Sequence, residues 1–103
     1  MSRRKFTVQS EVWLYPGMAG WHFLSVPKKE SEEIKRTFGA IKRGWGSLPV
    51  LATIKKTKWK TSIFPDKKSS TYLLPIKAEV RKKENIFAHD KVSFNIEVQN
   101  NLK

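Results

Sequence analysis

A chain of 103 residues, 39% hydrophobic and with four Trp, six Phe and two Tyr, is one ordinary domain with apolar volume enough for its own core. It has no Cys, which excludes structural disulfides, Cys-based zinc sites and thiol nucleophiles. Lys and Arg number 21 against 9 Asp and Glu, and the resulting +12 either draws the chain to polyanions or is a solvated surface.

The opening Met1-Ser2-Arg3-Arg4-Lys5-Phe6 is basic, but Thr7, Gln9, Ser10 and Glu11 interrupt any apolar run, so no signal peptide is expected. No stretch approaches the roughly 18 apolar residues of a membrane span. The expectation is a cytoplasmic protein with no membrane partner.

From Phe6 to Tyr15 the chain alternates. Phe6, Val8, Val12 and Leu14 share one side with Ser10, and Trp13 and Tyr15 fall on the other. Pro16 to Gly20 reads as a turn, and Trp21 to Val26 as a second strand ended by Pro27. A helix is expected near residues 28–38. Ser31 is its candidate N-cap, Glu32 and Glu33 suit the first turn, and Gly39 is the stop. Ile34, Phe38 and Ile41 form its apolar stripe, and Gly44 to Ser47 is a loop.

The second half reads as β. Val50 to Ile54 is an apolar strand, Lys55 to Lys58 a turn, and Trp59, Thr61 and Ile63 one face of the next strand. Pro65 to Ser70 is a turn. Tyr72, Leu74, Ile76, Ala78 and Val80 make a period-two stripe, Lys82 to Asp90 a loop, and Val92, Phe94, Ile96 and Val98 a last stripe. This register predicts that Val8, Phe23, Ile54, Ile63, Leu74, Ile76, Phe94 and Ile96 are buried together. The fold class is mainly β: a small barrel of about six strands with one short helix. One domain is expected over 1–103, with 1–5 and 99–103 as loose tails.

Several of these segments carry a resemblance. Trp21-His22-Phe23-Leu24-Ser25-Val26-Pro27, Trp59-Lys60-Thr61-Ser62-Ile63-Phe64-Pro65, Tyr72-Leu73-Leu74-Pro75-Ile76-Lys77 with Val80-Arg81-Lys82, and Asp90-Lys91-Val92-Ser93-Phe94 follow in order. Together they resemble the uncharacterised family called domain of unknown function nineteen-oh-five, over roughly residues 6 to 98. The resemblance implies a small double-split β-barrel, similar to two fused swapped-hairpin units of the AbrB type. It implies no activity and no functional residues. The chain departs from the family where a Gly is usual before the Asp matching Asp90, for here stands His89. Lys56-Thr57 and Ser69-Ser70 likewise stand where hairpin glycines are expected.

No catalytic residues, metal site or cofactor are expected. The two histidines, His22 and His89, lie far apart in sequence, and no nucleophile elbow, phosphate loop or zinc motif is present. Asp90 beside His89 is read as a turn residue, and Glu30, Glu32 and Glu33 as complements of a helix start. The Gly17 to Gly20 loop joins strands, not the two helices of an RNA-binding KH loop.

A non-enzymatic binding module is the favoured reading. Residues 55 to 83 hold ten cations and two anions, a balance of +8. Lys55, Lys56, Lys58 and Lys60, extended by Lys82 and Lys83, are the candidate residues for nucleic acid or another polyanion. Trp59 is read as pointing into the barrel. The alternative is a small ligand in an apolar pocket lined by Trp13, Tyr15, Trp21 and Trp59. Packing under the helix is the simpler reading of Trp13 and Tyr15.

Overall fold

The computed structural model of the protein describes residues 4–17, 20–39 and 46–99. The expectations for Met18, Ala19, Ile41, Gly44 and Trp45, and for the extreme tails 1–3 and 100–103, fall outside the described residues. Six strands and two helices follow in the order β1 (Lys5–Leu14), β2 (His22–Ser25), α1 (Lys28–Phe38), β3 (Leu48–Ile54), β4 (Thr57–Asp66), β5 (Thr71–Pro75), α2 (Ala78–Glu84) and β6 (Lys91–Val98). The strands close a barrel in the spatial order β1-β2-β5-β4-β3-β6, every pair antiparallel. Closure leaves few unpaired edges, which suits a chain with many short strands.

β1 serves two partners in turn. Lys5 to Glu11 pair with β6, and Val12 to Leu14 pair with β2. Lys5 is thus already in the barrel, inside the segment read as a loose tail. Val98 N donates to Arg4 O, and Gln99 N donates to Pro49 O at 2.9 Å. The end of β1 also departs from its expected face. Leu14 is 49% exposed, because β1 has passed beyond the reach of the core there.

The expected core is buried at every one of its eight positions. Seven of them belong to the central cluster, with Phe6, Val12, Leu24, Val50 and Ile34 among their neighbours. Phe23 is the exception. It is directly opposite Trp13 and Pro75 and sits on the outer face of its sheet, where Trp13, Tyr15 and Trp21 surround it.

α1 spans the expected residues, but Ser31 is not its cap. Pro27 occupies the N-cap position, and Ser31 lies one turn in, buried. Its hydroxyl donates to Val26 O at 2.9 Å and accepts from Tyr72 N at 3.0 Å. Val26 N in turn donates to Tyr72 O at 2.8 Å. The β2–β5 ladder therefore runs one pair past Ser25, with a hydroxyl relaying the bond that the diverging strands no longer make directly.

α2 was not expected. The period-two stripe continues to Val80 in the sequence, but β5 ends at Pro75 and a helix begins at Ala78. Ile76 and Val80 are both buried while Ala78 is exposed. Ile76 precedes the N-cap and Val80 lies in the first turn, and a period-two reading buries the same two positions. Glu79 near the start, basic residues in the last turn, and Asn85 in the left-handed conformation (φ 58°) complete the helix.

Three other left-handed residues stand where glycine was missed or nearby. They are Lys55 (φ 52°), Ser70 (φ 61°) and His89 (φ 76°). At the last, Asp90 holds the turn by accepting Phe87 N on Oδ2 at 2.8 Å, the local role expected of it.

Two stability measurements follow. Leu74→Ala empties a site inside the barrel and is expected to cost about 2–5 kcal/mol. Leu73 is buried too, but on the outer face between Ser25 and Phe64, so Leu73→Ala is expected to cost less. Equal urea midpoints for the two variants contradict this register. Ser31→Ala strands the buried Tyr72 N–H and is expected to cost about 1–3 kcal/mol, with faster hydrogen exchange at Tyr72 as its local mark.

Candidate functional site

β4 has two neighbours of unequal length. Thr57 to Ile63 pair with β3, but only Phe64, Pro65 and Asp66 meet β5. The register explains where the second ladder stops. Phe64 is opposite Leu73, so Ser62 would next meet Pro75. Ile76 N donates to His22 O and Val26 N to Tyr72 O, so residues 72, 74 and 76 turn their backbone groups towards β2. Residues 71, 73 and 75 turn theirs towards β4. Pro75 has no N–H to offer Ser62, and the strands separate.

α2 stands in the opening. It packs on β4, and Thr57 Oγ1 donates to Glu84 Oε2 at 2.7 Å. Arg81 ties the helix to both flanking segments. Its Nε donates to Ile76 O at 3.1 Å, and its Nη2 donates to Gly20 O at 3.3 Å. His22 Nδ1 lies 3.0 Å from the same Gly20 carbonyl. A carbonyl only accepts, so Nδ1 carries the hydrogen.

The result is a groove of about 740 Å³, open to solvent. Trp21, Trp59, Phe64, Pro75 and Ile76 give it apolar walls. Thr61, Ser62 and His22 add neutral polar groups, and Lys60, Lys77 and Arg81 add cations. Lys77 lies 3.7 Å from Glu79, but both are exposed and the pair is screened. Lys60 and Arg81 have no carboxylate partner among the described residues.

A second cavity, of about 840 Å³, lies between α1 and the β4–β5 turn. Its charges are mixed, with Lys28, Lys35 and Lys67 against Glu32 and Asp66. Tyr72 lines it, and burial raises the phenol above its ordinary value. Among the described residues no three His, Asp or Glu side chains gather as metal ligands.

The six candidate lysines are all exposed. Lys55 and Lys56 form the tip of the β3–β4 hairpin, Lys58 and Lys60 alternate outward along β4, and Lys82 and Lys83 lie on α2. The Thr57–Glu84 hydrogen bond brings the hairpin to the end of α2, so the two groups are neighbours, with an acidic residue between them. Only Lys60 lines the groove.

The four candidate pocket aromatics divide. Trp59 is 8% exposed and does both jobs, packing in the core and walling the groove. Trp21 is 47% exposed, stacks on Phe23 at 5.9 Å, and lines the groove's mouth. Trp13 and Tyr15 are not part of it. They lie on the outer face with Phe23, where Trp13 Nε1 donates to Ser25 Oγ at 3.0 Å. The helix expected to cover them packs on β5 instead. Sequence reasoning missed His22, Phe64, Lys77 and Arg81 as groove residues. The one signal that could have pointed to them is Pro75, a proline at the end of an otherwise unbroken strand pattern.

The family model described as Domain of unknown function (DUF1905) matches residues 9–96, from within β1 to within β6. The chain belongs to that family. Comparison with curated proteins found no match.

Arg81 is the residue whose loss should open the groove most. Arg81→Met keeps the apolar stem and removes both hydrogen bonds, at an expected cost of about 1–2 kcal/mol. The amide signals of Gly20, Trp21 and Lys77 should move while those of β3 and β6 stay in place. Unchanged Gly20 and Trp21 signals in the variant would show that the guanidinium does not hold the loop.

Proposed function

We propose that this barrel is a binding module whose site is the groove between β4 and α2, and that its ligand is an anion with a flat apolar body. One observation carries the reading: apolar walls from Trp21, Trp59 and Phe64 meet two cations, Lys60 and Arg81, that have no carboxylate partner among the described residues. The volume is within the roughly 300–1,000 Å³ typical of small-ligand sites. Aromatic faces suit a planar group, and Arg81 is held by carbonyls that leave its charge unmatched. In this groove a candidate lysine, Lys60, meets two candidate tryptophans, Trp21 and Trp59.

A second reading is favoured by the Thr57–Glu84 hydrogen bond, which sets Lys55 and Lys56 beside Lys82 and Lys83. Nucleic acid would then bind along the hairpin and helix, outside the groove, mainly through phosphate.

One titration separates them. Isotopically labelled protein is mixed with 2-naphthoate, a single-stranded oligonucleotide, or heparin, at several salt concentrations. The groove reading expects naphthoate to shift the amides of Trp21, Lys60 to Phe64 and Lys77 to Arg81. Lys60→Ala should weaken that binding about two- to fivefold, the size of an exposed ion pair. Oligonucleotide shifts confined to residues 55–58 and 82–83, with a steep salt dependence and a preference over heparin, would put the second reading first. No naphthoate shifts in the groove overturns the first reading. Equal weak binding of oligonucleotide and heparin overturns the second.

A further inference from the structure

β4 leaves the groove with something its side chains do not reveal, a length of unpaired backbone. Ile54 and Thr57 are partners across a two-residue turn. They therefore exchange hydrogen bonds, and so do the pairs at every second step, Trp59, Thr61 and Ile63 with Ala52, Val50 and Leu48. The N–H and C=O groups of Lys58, Lys60, Ser62, Phe64 and Asp66 must then point away from β3. Phe64 and Asp66 meet Leu73 and Thr71 of β5. Lys58, Lys60 and Ser62 have no strand opposite them among the described residues. Lys60 and Ser62 line the groove, and Lys58 lies further along the same edge.

We infer that the groove takes an extended acidic peptide, which pairs with Lys58 to Ser62 of β4 in the place that β5 vacates at Pro75. The inference rests on the groove being the binding site for an anion, and it puts an extended peptide with carboxylates and apolar side chains in the place of a flat anion. Five residues of strand edge at about 3.3 Å each match a peptide of about five residues. The neighbouring α2 makes the second wall, so the peptide lies between a strand and a helix. Main-chain hydrogen bonds would supply affinity irrespective of side chains, and the pocket walls would select among them.

Charge complementarity fixes the chemistry. Lys60, Lys77 and Arg81 line the groove, and no acidic residue does among the described residues. A peptide with carboxylates on alternate residues presents them all to one side, as a strand must. Its other side chains would then turn to the barrel side of the groove, towards Trp59, Thr61 and Ile76. Lysines on an open edge also have a purely protective use, since charge deters strand pairing between molecules. The protective use requires no groove, no aromatic wall and no fixed guanidinium, and all three are present.

The test uses a peptide of about seven residues alternating Glu with Val, blocked at both ends, and two N-methylated isomers of it. One isomer loses the amide hydrogens of the odd residues, the other those of the even residues. Only one set can face β4, so one isomer should bind about tenfold more weakly than the parent and the other about as well, the loss expected for two or so hydrogen bonds. With parent peptide at about a hundred times its Kd, exchange at the Lys58, Lys60 and Ser62 amides should slow by about the same factor. Equal binding of both isomers, or unchanged exchange at those amides when peptide is bound, overturns strand addition. If naphthoate fills the groove and the peptide does not bind, the peptide inference fails alone. If neither binds, both fail, and the lysines only guard an edge.

Discussion

The missing N–H of Pro75 faces β4. On the other side of β5 the ladder is intact, because residues 72, 74 and 76 carry the bonds to β2 and Val26. Towards β4 the next donor after Leu73 would be residue 75, and there is none. Pairing across this seam is therefore limited to three residues of each strand. Everything below it follows. β4 continues along β3 without a second neighbour, β5 turns into α2, and the helix leans on the strand it has parted from.

Ser31 performs the opposite service on the other edge of β5. Where β2 runs out, its hydroxyl accepts from one strand and donates to the other. This satisfies two buried backbone groups that would each be costly to leave bare. It also fixes α1 against β5, which lets Ile34 and Phe38 close the core from that end. The barrel thus has a mended seam between β2 and β5 and an open one between β5 and β4. The difference is a hydroxyl in the right place in one case and an absent hydrogen in the other.

Strands that alternate cleanly were readable from residue types alone. β3, β4 and β6 bury one face and show the other, and the stripes of Val92 to Val98 and Trp59 to Ile63 say so directly. Phe23 misled because both Phe23 and Leu24 are buried, one by the core and one by the aromatics outside it. α2 misled because a helix of two turns offers too few positions for its period to show. Ile76 and Val80 fit either reading, and Ala78, the residue that distinguishes them, is small enough to fit both. The groove was readable only in fragments, for Trp21, Trp59 and Lys60 stood out in the sequence, but not as one site. His22, Lys60 and Arg81 are brought together only by strand order, and no local pattern encodes which strands become neighbours. What was readable was its cause, a proline inside a strand signature, had the direction of its nitrogen been known.

The charge of the chain takes on meaning only with this geometry. A lysine at the tip of a hairpin is surrounded by water and salt, and its field fades within about 10 Å. Any polyanion can meet it and few can be told apart by it. Arg81 is different. Two carbonyls hold its guanidinium in one position, so a ligand need not order it on arrival. Trp21, Trp59 and Phe64 line the same groove. The same two hydrogen bonds also bind the Gly20 loop and the end of β5 to the helix. The residue that shapes the groove is therefore also the one whose charge the groove best conserves. Among the described cations, Arg81 is the one that two carbonyls fix beside apolar walls, and on the proposed reading that fixed charge is what would let the groove discriminate between anions.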